Sequence, residues 1–557
     1  MDVPAAHAPV SHLPAELLVR VFAYARLLEP PGPPLRRPFY RRGWIGWVKV
    51  SHVCRRWRHV ALGAADLWED VDFTMGEEWG QACLARAQNA PIVLKFGGTH
   101  IFTDEHVDLV AKHISHTREL FVGCQETTVV KSQLFKRLTM PAPYLESIYC
   151  MLARDSVSLS EDLLAQEAPR LSCVTFANCG TIHWTSRLFT NLTTLSVSRP
   201  KWLTSPPPDY VPPNLFDVLD ALERMPTLRE LTLFADAVLR PADLLLPHRR
   251  HSVVHLPNLV MFSLNCNNIP DITALLRYLR LPPKVYMDMC IQGGSESPLD
   301  QVVAFFSVLL RDCAPITKLH VSDGQIYDFY DFVAFRDAEP EEGQSMPHVQ
   351  SLSLGMWAEI SPGPEAVVKA FCLALQKDAL RSLTMNMFHG WTSHGWLDAF
   401  GEFDALREIT ARSDAAISLL RTLAASDGFA QSWLAERQSW RGPGAAAVLF
   451  PQLESVTVIQ VNFRKCPSHD RVLCWRDVLR RARRSVAEVS HTLLRRDVEG
   501  DAGDLYPIHI NVAKWLKARQ RGSAPLKTLL LEYCTLPSNG LKREFGGIVP
   551  QYDEGRW

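Results

Sequence analysis

Apolar positions fall into two rhythms along the chain. In the first eighty residues the spacing is helical: Leu13, Leu17 and Val21 recur every four residues, and Leu18 and Phe22 widen the same stripe. Pro14 suits the first turn of this helix, where its missing N–H would have been unpaired anyway. A second stripe, Ile45, Val48, Val53, Trp57 and Val60, predicts one helix from Trp44 onward, and Ala61 to Trp68 predicts a short third turn that closes a small core. Between the first two helices, residues 29–43 hold Pro30, Pro31, Pro33, Pro34 and Pro38 among arginines, so the helix cannot continue and an exposed inserted loop is expected.

From about residue 79 the rhythm changes to Leu-x-x-Leu-x-Leu. The unit occurs as Leu145-x-x-Ile148-x-Cys150 and returns at Leu171, Leu192, Leu228, Leu259, Ile316, Val349, Leu380, Leu453 and Leu526, with weaker copies at Leu406 and Leu120. Alternation at the fourth and sixth positions is strand periodicity. Apolar helical stripes precede several of these strands, as at Asp271 to Leu279 with Asp271 as N-cap, Leu299 to Leu310, and Ala366 to Leu375. A strand reached through a helix lies parallel to its predecessor, and stacking such units buries faces that none could bury alone.

Two resemblances follow from these residues. Leu13-Pro14-x-Glu16-Leu17-Leu18-x-x-Val21-Phe22, then Val50-Ser51-x-Val53-Cys54-Arg55-Arg56-Trp57-Arg58, then Leu67-Trp68, resemble the F-box family, with a Pro-rich loop that sets the halves further apart than is usual there. That resemblance implies docking to the Skp-type adaptor of cullin–RING ubiquitin ligases through Leu13, Pro14, Leu17, Leu18 and Val21, with Val53, Cys54 and Trp57 supporting or extending the surface. The repeats resemble leucine-rich repeats, in which Asn or Cys follows the last strand leucine by three residues. Cys179, Asn267 and Cys534 hold that position here, whereas other copies have Asp236, Gly324 or Trp357. The expected fold is α/β: a short three-helix F-box at 12–73, then an irregular leucine-rich-repeat solenoid at 79–536 with a curved parallel sheet and outer helices. A disordered N-terminus at 1–11 and a C-terminal tail at 537–557 flank them.

Composition narrows the function. Hydrophobic residues at 47% and charged residues at 21% are those of a folded globular chain, and a net charge of −1 supplies no bulk field for nucleic acid or an anionic membrane. Neither a secretory signal nor a membrane-spanning apolar run is evident, so a cytoplasmic or nuclear location is expected. Thirteen cysteines without a Cys-x-x-Cys pair predict reduced thiols, not a disulfide frame or zinc site. No phosphate-binding loop, dinucleotide turn, zinc-protease helix or hydrolase elbow occurs, so no catalytic residue, metal or cofactor is expected. His113 and His116 near Asp104, Glu105 and Asp108, and the loop His248, His251 and His255, are read as solvated groups, as are the Pro-rich stretch at 201–213 and the arginine-bearing helix at 471–496.

The outward residue between the last two strand leucines is small and polar in most repeats: Thr175, Ser196, Thr232, Ser263, His320, Ser353, Thr384 and Thr457. Recognition usually wants aromatic or Arg anchors, which points to loop residues such as Trp357, Trp391 or Trp396 unless these are core. The expected function is a non-catalytic substrate receptor that binds the adaptor, through it a cullin, and an unidentified protein substrate. The alternative is a leucine-rich-repeat interaction scaffold with no ubiquitin role.

Overall fold

The computed structural model describes residues 13–32, 45–98, 102–124, 128–152, 159–177, 182–198, 215–234, 252–266, 269–291, 298–323, 329–337, 348–357, 364–387, 391–423, 432, 449–460, 516, 526–532 and 551–553. The chain divides into two compact units, Met1–Leu259 and Val260–Trp557.

The first unit begins with helix α1 (Ala15–Leu28). Pro14 sits just outside the helix as its N-cap, and its carbonyl accepts the first helical N–H, from Leu18. Leu18 and Phe22, one turn apart, point into the module, where burial of each contributes about 1.5–3 kcal/mol. The single helix expected from Trp44 to Val60 is instead two pieces, a 3₁₀ helix (Gly46–His52) and α2 (Arg55–Gly63). The break is at Cys54, whose extended backbone lets its Sγ accept the Trp57 N–H at 3.4 Å and so start a new helix. Gly46 makes the entry possible. Its φ is +55°, and a Cβ there would lie 2.4 Å from the Glu29 carbonyl oxygen. That same oxygen accepts the Trp47 N–H, which fixes where the chain returns to α1.

A 3₁₀ turn (Ala65–Trp68) closes the module and runs straight into strand β1 (Asp70–Asp72). Helix α3 (Glu77–Ala87) then leads to β2 (Ile92–Gly98), which lies parallel to β1. The strands β3 (Thr117–Cys124), β4 (Ser147–Leu152), β5 (Cys173–Ala177), β6 (Thr194–Ser198) and β7 (Glu230–Phe234) add on in order, all parallel. Helices α4 (Asp104–His113), α5 (Thr128–Arg137) and α6 (Leu215–Glu223) lie between strands, and the short strand β8 (Val254–His255) follows them. The fourth position of the sequence repeat forms one buried row across the sheet, Leu120, Ile148, Val174, Leu195 and Leu231, and Val71 and Leu94 extend it to β1. The residue after each first leucine hooks its N–H onto the preceding repeat, as Ser172 does to the Glu146 carbonyl and Arg229 to that of Thr193.

The second unit opens with β9 (Met261–Cys266), helix α7 (Ile269–Arg277), the short β10 (Leu279–Arg280), and β11 (Tyr286–Ile291), which is parallel to β9. Because α7 begins at Ile269, Asp271 lies inside its first turn and not at the cap. Helix α8 (Leu299–Leu309) is followed by β12 (Lys318–Asp323), β13 (Phe329–Asp337) and β14 (His348–Trp357). Here the expectation of uniformly parallel strands fails. β13 runs antiparallel to both neighbours, and β14 returns to pair with β11, which gives the order β9–β11–β14–β13–β12. The segments 324–328 and 338–347 are too short for the crossover of about a dozen residues that parallel pairing needs. Helix α9 (Pro364–Leu373) restores the parallel pattern: β15 (Ser382–Met387) joins β12, and β16 (Glu408–Ser413), β17 (Ser455–Ile459), β18 (Thr528–Glu532) and β19 (Gln551–Asp553) continue it. Helices α10 (Ser393–Phe400) and α11 (Asp414–Leu423) accompany these strands.

Several expectations fall outside the described residues: the N-terminus at 1–11, most of the Pro-rich loop, the stretch 201–213, the arginine-bearing helix at 471–496, nearly all of 537–557, and the turn residues Cys179, Asn267 and Cys534. No helix among the described residues is long and apolar enough to cross a membrane.

Candidate functional site

Helix α1 carries apolar residues on two sides. Leu18 is fully buried, whereas its neighbour Leu17 is 43% exposed, and Val21, Tyr24, Leu27 and Leu28 are exposed with it. Positions 17, 21, 24 and 28 recur at the helical interval, so they form a single outward ridge. Val53 and Ile45, on the segments that pack beside α1, are exposed as well. An apolar ridge of this extent on a small helical module marks a docking surface more often than a solvated one.

The expected contact residues take different places in this geometry. Pro14, Leu17, Val21, Val53 and Cys54 are exposed, and Leu13 is half-buried. Leu18 lies in the core, so its contribution is to hold α1 and not to meet a partner directly. Trp57 is half-buried against Phe22, with ring centroids 5.2 Å apart, and supports the ridge from beneath. Arg56 donates to the Leu13 carbonyl, which ties α2 to the start of α1. The sequence marks Ile45 only as part of the second helical stripe and does not mark Tyr24, Leu27 or Leu28, although the period of α1 extends to Tyr24 and Leu28.

The module is anchored to the sheet through its far side. Trp68 packs against Trp47 and Trp79 at centroid distances of 5.2 and 6.5 Å, donates from Nε1 to the Ala61 carbonyl at 2.8 Å, and is covered by the Arg86 guanidinium at 4.6 Å. Arg26 of α1 pairs with Glu69, whose other oxygen lies 4.0 Å from Arg118 of β3. The Glu69 carbonyl accepts the Val93 N–H of β2 at 2.8 Å. The exposed ridge is thereby held in a fixed relation to the first strands.

Elsewhere the structure assigns the candidate residues to packing. Trp391 and Trp396 are core, and Trp396 donates to the Ala415 carbonyl and the Ser418 hydroxyl, so neither is an exposed anchor. Trp357 ends β14. The small polar outward residues are all half-buried, from Thr175 to Thr457. An aromatic pair does stand on the outward face: Phe121 of β3 and Tyr149 of β4 stack at 4.5 Å with planes 4° apart. The apolar pattern of those two repeats marks their inward positions and not this outward pair.

His113 and His116 bond to each other at 2.9 Å, and His116 also bonds the Ala90 carbonyl at 2.8 Å. Burial, then His116 and Lys112, hold the His113 imidazole below its ordinary range. Asp108, drawn into the same cluster, pairs with Arg137. Among the described residues no group of three His, Cys, Asp or Glu side chains could hold a metal ion. Cys54, Cys83, Cys150, Cys173, Cys266, Cys290, Cys313 and Cys372 are free thiols.

Residues 10–74 match the F-box-like family. The match covers α1, the 3₁₀ helix, α2, the closing turn and β1, the elements that build the ridge and its anchor. No curated protein matches the chain.

Proposed function

We propose that this protein is the substrate-recognition subunit of a cullin–RING ubiquitin ligase of the SCF type. The F-box-like domain docks a Skp-type adaptor, and through it a cullin, by the ridge Leu17, Val21, Tyr24 and Leu28 together with Pro14 and Val53. The observation that carries this reading is the coincidence of the family match at 10–74 with a ridge of large apolar side chains left in water on that domain. Tight docking of a surface like this one rests on a few desolvated side chains at its centre.

The strands beyond it are read as irregular leucine-rich repeats that bind a protein substrate. Buried leucine rows in register, parallel strands and hooked backbones support that reading. In this scheme the protein is non-catalytic and acts in the cytoplasm or nucleus. It raises the effective concentration of a substrate lysine near an activated ubiquitin and supplies position, not a nucleophile.

Co-purification tests the assignment. The full chain is expected to retain a Skp-type adaptor, and a Leu13→Ala, Pro14→Ala, Leu17→Ala variant to lose it while keeping its thermal transition. A folded variant that keeps the adaptor, or a wild-type chain that never binds one, would leave an interaction scaffold without a ubiquitin role.

A further inference from the structure

An aromatic step stands on the outward face of the first unit. Phe121 of β3 is 37% exposed and stacks on the half-buried Tyr149 of β4, and Met151, two residues further along β4, is 44% exposed. Beside the Phe121 ring two glycines stand in register, Gly97 of β2 against Gly123 of β3. A Cβ would lie 3.2 Å from that ring at Gly97 and 2.9 Å from it at Gly123. Glycine inside a strand weakens the strand, so the sheet gives up local stability to hold this ring on a face that meets water. A local cost with no gain in the core is expected where function constrains the sequence.

A row of hydroxyls continues from the step. Tyr149, Thr175 of β5, Ser196 of β6 and Thr232 of β7 pair in register on successive strands. All four are half-buried, and among the described residues none of their hydroxyls has a hydrogen-bond partner. The charged residues nearest the ring are already matched: Lys95, its register partner on β2, lies 3.5 Å from Asp70, and Glu119 lies 3.7 Å from Arg118. An apolar anchor, neutral donors and acceptors, and charges that are paired off together complement an uncharged occupant. From Phe121 to Thr232 is four strand spacings, about 19 Å, the length of about six extended residues.

We propose that this face binds an extended, uncharged segment of a protein substrate, with one large apolar side chain packed on Phe121 and Met151 and main-chain groups meeting the row from Tyr149 to Thr232. A hydroxyl both donates and accepts, which suits a main chain that offers N–H and C=O groups in turn. The inference rests on reading the chain as a substrate receptor, and it names the class of segment that the receptor takes.

The test uses the full chain to select from a displayed library of random peptides about twelve residues long, twice the length of the row, and the most enriched peptide is then made with a fluorescein label. Enriched sequences should carry at least one large apolar residue and no net charge. By anisotropy, changing that residue to alanine should weaken binding about tenfold or more, and so should Phe121→Ala in the protein. Thr175→Val with Ser196→Ala, which removes two hydroxyls and little bulk, should weaken it about threefold or more. Tyr144→Ala, which removes an exposed aromatic from the turn before β4, should change nothing. Should Phe121→Ala fail to fold, Met151→Ala takes its place with the same expectation. A library that yields no binder, enriched peptides of strong net charge, undiminished affinity in the folded variants, or an equal loss on Tyr144→Ala would overturn the proposal. Adaptor capture measured on the same preparation separates the two claims. Adaptor bound while the selection fails defeats only this inference, and peptide bound through Phe121 without adaptor defeats only the ubiquitin-ligase reading.

Discussion

The N-terminal module and the sheet that follows use the same residues to opposite ends. In the sheet of the first unit, leucine, isoleucine and valine at the fourth repeat position form one buried row, each covered by the next strand. In α1, Leu17 and Leu18 are neighbours, yet one is fully buried and the other is in water. A strand in a repeat is covered by its own chain on both sides, so its apolar pattern is consumed by folding. A three-helix module has too little chain to cover both faces of its first helix. The uncovered face is what remains for a partner.

The covered side of α1 should be the more costly to disturb. Phe22→Ala removes the ring that packs α1 on Trp57 and should cost about 3–5 kcal/mol, read as a lowered thermal transition of the full chain. A loss of less than about 1 kcal/mol would mean that α1 is not held by the core described for it.

Arg26 stands at the junction of module and sheet, where Arg26→Met tests how the two are joined. Its guanidinium pairs with Glu69 and donates to the Asp66 carbonyl at 3.1 Å, both at the point where the module becomes β1. Losing these bonds should cost about 1.5–3 kcal/mol and should raise hydrogen exchange at the Val93 amide, which bonds the Glu69 carbonyl. Unchanged exchange there would mean that module and sheet are joined by packing alone.

The smallest effect concerns pH. Asp331 holds its proton more tightly when folded than its ordinary pKa of 3.8 allows. The folded state therefore binds more protons than the unfolded one once pH rises above that value, and stability declines with rising pH until the folded carboxyl ionises. Asp331→Asn should flatten that stretch of the stability curve and leave the rest unchanged. A curve of the same slope in the variant would mean that Asp331 is not the group responsible.

The strands were legible because each short unit carries its own strand alternation, however unevenly the copies are spaced: each copy, from Leu145 to Leu526, ends in a strand. The reversal at β13 was not. Phe329 to Phe335 is an apolar run broken only by Asp331, and such a run carries no strand direction, which only the short connections reveal. Helix α1 was legible, but not which of its leucines face water, because that depends on how Gly46 and Trp47 return to Glu29. The split of the second helix at Cys54 was hidden for a similar reason, since a cysteine cap leaves no mark in the hydrophobic pattern. For the tryptophans the sequence left two places open, anchor or core, and Trp391 and Trp396 are packed together in the core.

Under the proposed function Leu17 meets the adaptor, whereas buried Leu18 holds the module together. The most direct test of this division is the adaptor affinity of Leu17→Ala in the full chain, with the thermal transition measured on the same sample. Affinity for a Skp-type adaptor should weaken by about tenfold with the transition unmoved. Unweakened affinity, or a transition that falls as far as it does for Leu18→Ala, would contradict it.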